Sequence, residues 1–126
     1  KIEKINNVTF LQLDFIENIA KKKIINFFNG NLEVVISDMA ANTTGNKSLD
    51  CIRTNQLCAE VIEFSSKNLK PNGVLVSKLF MGEDFLEVKD LAKTKFKKVQ
   101  FFKPESSRNE SKETYLHCTI LKSFKF

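Results

Sequence analysis

A short run of β-branched residues that ends at an acid limits what this chain can fold into. Val34, Val35 and Ile36 are consecutive apolar residues, a pattern typical of a strand that is covered on both faces. Ser37 and Asp38 end the run, and a polar segment follows. A carboxylate at the carboxyl end of a parallel strand lies where open α/β sheets bind their ligands. Position alone leaves a second interpretation open, in which Asp38 only caps the following turn.

Strand-like and helix-like segments alternate along the rest of the chain. Apolar residues recur with a period of two, or in unbroken runs, in the predicted strands, and at helical spacing between them. The predicted strands are residues 8–13, 34–36, 74–80, 98–102 and 113–121, and the predicted helices are residues 15–28, 50–70 and 83–95. Strands joined by helices predict a parallel sheet with helices on both faces. The last two strands have only a loop between them, so they should pair antiparallel.

Turn residues and apolar stripes refine this outline. Pro71, Asn72 and Gly73 predict a turn before the third strand, and Gly30 is the expected residue after the first helix. The stripe of the first helix is expected to be buried, and it comprises Ile16, Ile19, Ala20, Ile24 and Phe27. No repeat or linker interrupts the pattern, so residues 1–126 are expected to form a single domain.

Composition excludes several classes of protein. No apolar run approaches the roughly 20 residues that a membrane span needs, and residues 1–30 contain no apolar core of a secretory signal. The three cysteines, Cys51, Cys58 and Cys118, form no CxxC pair, so neither a disulfide framework nor a zinc site is predicted and a reducing compartment is expected. The net charge of +5 and pI of about 9.1 suit a polyanionic partner.

Lys78 is the candidate reactive residue, because it interrupts an otherwise apolar strand. A desolvated lysine has a lowered pKa and can act as a base. The alternative is a lysine whose stem packs in the sheet while its amine reaches solvent. Asp14, at the end of the first predicted strand, and Glu113, at the start of the last, are strand-end acids that have no distinct role by themselves.

Basic residues are concentrated between positions 89 and 112. Lys97, Lys98, Lys103 and Arg108 belong to this stretch, and Phe101 lies among them. Flexible lysine and arginine side chains of this kind are suited to contact nucleic-acid phosphates, and each contact adds a salt-dependent contribution to the binding affinity. A solvated basic face is the alternative interpretation.

Four motifs occur in a fixed order: SDMAAN at 37–42, VSKLF at 76–80, KPESSR at 103–108 and SKETY at 111–115. Together they resemble the FtsJ/RrmJ family of ribosomal RNA 2′-O-methyltransferases, which use S-adenosylmethionine. The resemblance covers residues 8–121. It implies a Rossmann-like α/β methyltransferase sheet that is mostly parallel, with an antiparallel C-terminal strand.

The resemblance also implies roles for individual residues, with no metal required. The catalytic residues would be Asp38, Lys78 and Glu113, the cofactor-binding residues Asp14 and Asp38, and the RNA-binding residues Lys97, Lys98, Lys103 and Arg108. In this scheme the lysine is the general base, and the two acids orient it and the ribose. The carboxylate of Asp14 would receive the adenine amino group.

One departure from the family pattern is large. The Gly-rich cofactor loop and the first catalytic lysine of the family have no counterpart here, because the four glycines are widely scattered. The chain therefore resembles a partial methyltransferase domain without the N-terminal strands. In the family's fold those strands lie beside the segment 8–13, which is expected to lack a neighbour.

The resemblance favours ribosomal RNA or the large ribosomal subunit as partner. Two alternatives stay open: a non-catalytic basic RNA-binding fragment, and a 2′-O-methyltransferase that acts on tRNA or an mRNA cap. A cytoplasmic location is expected, with the mitochondrial matrix as the alternative, and no association with membranes. The oligomeric state does not follow from the sequence.

Overall fold

Three helices and four strands make up the described part of the protein. The computed structural model describes residues 6–9, 11–29, 32–41, 44–103 and 112–122. The helices are α1 (Asn18–Phe28), α2 (Lys47–Asn68) and α3 (Phe85–Lys95), and the strands are β1 (Leu32–Ser37), β2 (Leu69–Phe80), β3 (Phe96–Phe102) and β4 (Glu113–Leu121). None of these helices is long and apolar enough to cross a membrane.

The four strands form one sheet in the order β1-β2-β4-β3. β1 and β2 are parallel, whereas β4 runs antiparallel to both of its neighbours, β2 and β3. The expected sheet, mostly parallel with an antiparallel C-terminal strand, is confirmed, and so is the antiparallel pairing of the last two strands. This topology brings the carboxyl ends of β1 and β2 to the same edge as the start of β4.

The core lies between the sheet and the helices. Alternate residues of β2, including Leu75 and Leu79, point towards α2 and α3 and are fully buried. The ring of Phe15 meets that of Phe64 of α2 edge-on, with 5.1 Å between centroids, which brings the segment before α1 to the same side. All three helices therefore pack on one side of the sheet.

The other face of the sheet is not covered by a helix of the described residues. Val34 and Ile36 of β1, which are paired with Val74 and Val76 of β2, are 53% and 73% exposed there. The expectation of helices on both faces is therefore wrong for the described chain. Successive residues of the strands point to opposite faces of the sheet, and both faces are apolar. The sequence pattern does not specify which part of a protein covers the face opposite the helices.

The described residues of the first predicted strand do not form a strand. Residues 8, 9 and 11–13 form no strand, and residue 10 lies outside the described residues. β1 is bonded on one side to β2, and no described strand offers segment 8–13 a ladder partner. A strand is not stable without a neighbour that pairs with its backbone groups, so the described part of segment 8–13 has no regular structure.

The apolar stripe of α1 is only partly buried. Ala20 is buried and Ile24 packs at the margin of the core. The other members of the stripe are exposed: Ile16, Ile19 and Phe27. Asn29 adopts the left-handed conformation at the end of α1, with φ of 56°, while Gly30 lies outside the described residues.

The predicted turn at residues 71–73 is part of β2. Leu32 pairs with Leu69, but Val34 pairs with Val74, so β2 accommodates the additional residues as a bulge against β1. A Cβ at Gly73 would lie 3.1 Å from the carbonyl oxygen of Glu33 and 2.8 Å from a methyl group of Leu69. Gly73 thus permits the close approach of β1, and the turn residues bend a strand instead of ending one.

Candidate active site

Three strand ends assemble the candidate site. Asp38 directly follows β1, Lys78 lies near the carboxyl end of β2, and Glu113 is the first residue of β4. In the antiparallel pairing, Lys78 is opposite Tyr115 and Phe80 is opposite Glu113. The topology therefore places Asp38, Lys78 and Glu113 at one edge of the sheet.

Lys78 lies between the two acids. Its Nζ is 3.1 Å from Oδ1 of Asp38 and 3.2 Å from Oε2 of Glu113. The lysine side chain is only 14% exposed, whereas that of Asp38 is 68% exposed. The amine therefore does not extend into solvent, as a snorkelling lysine would, but is held by two carboxylates from neighbouring strands.

The position of Lys78 follows from the alternation of β2. Ser77 and Leu79 are buried towards the helices, so Lys78 must point to the helix-free face. On that face its neighbours come from the ends of β1 and β4. An interior lysine is tolerated because both carboxylates compensate for the lost hydration of the ammonium.

Tyr115 is a member of the site that sequence reasoning missed. Its hydroxyl donates a 2.6 Å hydrogen bond to Oδ1 of Asp38, the oxygen that also contacts Lys78. Its ring stacks on Phe102 of β3, with 5.8 Å between centroids and 23° between planes. The sequence pattern that could have identified Tyr115 is its position two residues after Glu113, because alternate residues of a strand lie on the same face.

These contacts change the proton affinities of the site. The hydrogen bond from Tyr115, followed by that from Lys78, lowers the pKa of Asp38 below its ordinary value. Burial lowers the pKa of Lys78, but the hydrogen bonds and charges of Asp38 and Glu113 outweigh it, so the net pKa is raised. The pKa of Tyr115 is raised by its hydrogen bond to Asp38. At neutral pH the site thus holds an ammonium, an ionised Asp38 and a neutral phenol.

Asn55 of α2 fixes the end of β2 beside Lys78. Its fully buried amide donates to the carbonyl of Phe80 at 2.9 Å and to Oδ1 of Asp84 at 2.8 Å. Its own oxygen accepts from the backbone N–H of Phe80 at 2.8 Å. One side chain therefore connects α2, the carboxyl end of β2 and the start of α3.

The predicted RNA-binding residues are not at one place. Nζ of Lys103 donates to the carbonyl of Glu113 at 3.0 Å, so Lys103 lies beside the site. Lys97 and Lys98 are exposed near the start of β3, about 17–20 Å in the strand direction from Lys103, which directly follows the strand. Arg108 lies outside the described residues.

Asp14 has a local contact in the structure. Its Oδ1 accepts the backbone N–H of Ile16 at 3.1 Å, and its carboxylate is exposed. Asp14 and Asp38 are thus two exposed anionic acceptors, which suit the amino groups and positive charge of S-adenosylmethionine.

Comparison with known proteins gives a consistent result. The family model for FtsJ-like methyltransferases matches residues 1–121. The chain is 44% identical over 121 residues to a ribosomal RNA large subunit methyltransferase E from Pelagibacter ubique, which covers 96% of this chain and 60% of the relative. It is 47% identical over 116 residues to the protein of that name from Rickettsia akari, with 92% of this chain and 51% of the relative covered.

A solved structure supports the fold. The chain superposes with a TM-score of 0.79 on a Plasmodium falciparum protein described as a ribosomal RNA methyltransferase, at 24% identity. The match covers 96% of this chain and 68% of that protein. The fold described above is therefore shared with part of that longer protein.

Proposed function

The chain belongs to the FtsJ-like methyltransferase family, and from that premise we propose that it transfers a methyl group from S-adenosylmethionine to a ribose 2′-hydroxyl of large-subunit ribosomal RNA. The observation that carries this proposal is the placement of Lys78 within 3.2 Å of both Asp38 and Glu113. The names of the relatives support large-subunit RNA as the substrate. The chain spans 51–60% of the length of these relatives, so the activity of the whole protein is proposed.

In this proposal, Lys78 is the proton acceptor of the reaction. S-adenosylmethionine, when bound, supplies a methyl group that is already activated by a positive sulfur. A ribose hydroxyl that accepts this group must lose its proton, and Nζ of Lys78 takes it. Because Asp38 and Glu113 raise the pKa of Lys78, the amine must first lose the proton that it carries at neutral pH.

The two acids and Tyr115 position the reacting groups. Asp38 and Glu113 hold Nζ from two sides, and the phenol of Tyr115 fixes the Asp38 carboxylate. Since the methyl donor is intrinsically reactive, much of the rate is expected from such positioning. Asp14 and Asp38 would contribute anionic acceptors to the cofactor site.

Basic residues on β3 and beyond it would hold the RNA backbone. Lys103 lies at the site, whereas Lys97 and Lys98 extend the positive surface along β3. Arg108 is proposed from the family motif alone. The bacterial relatives favour a cytoplasmic location over a mitochondrial matrix.

Two alternatives differ in their consequences. A non-catalytic RNA-binding fragment, the first alternative, predicts RNA binding without methyl transfer. A tRNA or mRNA-cap enzyme would use the same catalytic residues on another RNA.

The experiment uses radiolabelled S-adenosylmethionine with large ribosomal subunits, tRNA and capped mRNA as separate substrates. Nuclease digestion then identifies the methylated nucleosides. The proposal predicts 2′-O-methyl nucleosides from the large subunit. Label in a base, or label in tRNA or cap only, would contradict it, and RNA binding without any label would favour the non-catalytic fragment.

A further inference from the structure

A pocket of about 430 Å³ lies at the carboxyl edge of the sheet, where the first turns of α2 meet the end of β2 and the residue before β4. Its volume falls in the range of about 300–1,000 Å³ that is typical of small-ligand sites. The lining includes apolar residues, two lysines and two acids: Cys51, Ile52, Phe80, Lys47, Lys112, Asp50 and Glu83. The proton-transfer chemistry proposed above does not involve this pocket.

The pocket adjoins the Lys78 site. Phe80 lies two residues beyond Lys78 on the same face of β2, about 7 Å along the strand, and it is paired with Glu113. The backbone N–H of Met81 donates to the carbonyl of Lys112 at 2.9 Å, which joins the two walls that β2 and β4 contribute. A ligand held by Lys78 could therefore extend directly into this pocket.

The lining combines apolar surface with two lysines and two acids, of which Asp50 already accepts hydrogen bonds from Thr44. Ile52, Cys51 and Phe80 contribute apolar surface, and an aromatic ring is a platform on which any base can stack. Lys47 and Lys112 are exposed lysines of the same pocket, and lysines of this kind contact phosphates. The combination fits a planar heterocycle that is attached to a phosphate chain.

Gly82, in the loop after β2, lies close to Cys51 of α2 at one side of the pocket. A Cβ at Gly82 would lie 3.6 Å from Cβ of Cys51, which is an ordinary van der Waals contact. We propose that the pocket holds a nucleobase of the RNA strand whose ribose is presented to Lys78. This inference rests on the proposed function and adds a base-binding site to it.

Cys51 provides a direct probe of the pocket. It is half-buried, whereas Cys58 and Cys118 are buried, and burial raises the pKa of their thiols to about 11 and about 12. N-ethylmaleimide should therefore alkylate Cys51 first in the folded protein. The test measures this rate by mass spectrometry with a short single-stranded RNA, with the same ribose-phosphate chain lacking all bases, and with S-adenosylmethionine alone.

The proposal predicts that intact RNA slows alkylation of Cys51 by about tenfold, while the abasic chain leaves it nearly unchanged. Replacing Cys51 by Phe fills the pocket and should weaken RNA binding about 5- to 150-fold, the range for loss of one stacked base. Cys51→Ser keeps the pocket open and should bind like the wild type.

The base-binding site would be overturned by RNA binding without protection of Cys51 or by equal protection by the abasic chain. Protection by S-adenosylmethionine alone would also overturn it and would assign the pocket to the cofactor. Absence of RNA binding would overturn it as well. Methyl transfer measured on the same samples separates the two proposals. Normal methyl transfer by Cys51→Phe would contradict only the base-binding site. Base-dependent protection of Cys51 in a wild type that transfers no methyl group would contradict only the proposed activity.

Discussion

Tyr115 and Asp38 lie 77 positions apart in the chain, and a 2.6 Å hydrogen bond joins the phenol to the carboxylate. The same oxygen of Asp38 contacts Lys78 at 3.1 Å. The phenol is the largest cause of the lowered pKa of Asp38. Tyr115 therefore keeps Asp38 ionised and oriented, although the phenol itself does not contact the amine of Lys78 through any described hydrogen bond.

Replacing Tyr115 by Phe should raise the pKa of Asp38 and slow methyl transfer roughly fivefold, because a hydrogen bond worth about 1 kcal/mol is lost from the positioning of Asp38. Carboxyl NMR titration and single-turnover rates measure the two effects. Thr119→Val, which removes a hydroxyl from the same face of β4, is the matched control. An unchanged Asp38 pKa in Tyr115→Phe would exclude this role.

The ion pairs of Lys78 should stabilise the fold only within a limited pH range. The lowered pKa of Asp38 makes its contribution present above its ordinary value of 3.8 and lost as the pH falls through the folded value. The raised pKa of Lys78 makes its contribution present below 10.5 and lost as the pH rises through its folded value.

Urea unfolding of the wild type and Lys78→Met across this range tests the linkage. The difference between their unfolding free energies should be constant near neutral pH and should change at both extremes. A difference that varies only around neutral pH would contradict the assignment of these two groups.

Asn55→Leu should destabilise the protein by about 1–3 kcal/mol, because the backbone N–H of Phe80 loses its acceptor, whereas the carbonyl of Phe80 keeps the N–H of Gly82 as a donor. Asn68→Leu is the control on the same helix. Its amide donates one hydrogen bond, to the carbonyl of Phe64, so about 1 kcal/mol is expected. Equal losses in urea unfolding would show that Asn55 does not clamp the end of β2.

Charge reversal at both Lys97 and Lys98 should weaken RNA binding and reduce the slope of log K against log salt by about 2, as expected for two lost phosphate contacts. The same reversal of Lys22 and Lys23 on α1 changes the net charge equally, far along the chain from the site. If both double variants reduce the slope equally, the loss of RNA binding comes from the change in net charge, and β3 does not provide a specific RNA-binding surface.

The parts of the site that could be predicted are those fixed by local pattern. Asp38 follows a β-branched run, Lys78 interrupts an apolar strand, and Glu113 begins an alternating strand. These local patterns and the family motifs identified the three residues, and the order of the strands predicted that they lie close together. Tyr115 was not assigned because its partner comes from β1, and strand alternation does not tell which side chain a phenol will meet across the sheet.

Other errors have the same origin. Periodicity reports which residues favour burial, but Ile16, Ile19 and Ile36 are exposed because the described chain supplies nothing to cover them. The residues at 71–73 have turn chemistry, yet pairing on both sides of them keeps the chain in β2. Strand pairing and coverage are tertiary properties that a single segment does not contain.

The central claim is that Lys78 accepts the proton of the ribose hydroxyl. The most direct measurement is the pH dependence of single-turnover methyl transfer by the wild type, Lys78→Ala and Lys70→Ala, a lysine on the same strand that pairs with Glu33 at 3.3 Å. Because the pKa of Lys78 is raised above 10.5, the wild-type and Lys70→Ala rates should rise about tenfold per pH unit between about pH 7 and 10. Lys78→Ala should be slower by about 10²–10⁴-fold without that dependence and with normal RNA binding. Near-normal turnover in Lys78→Ala would contradict the account.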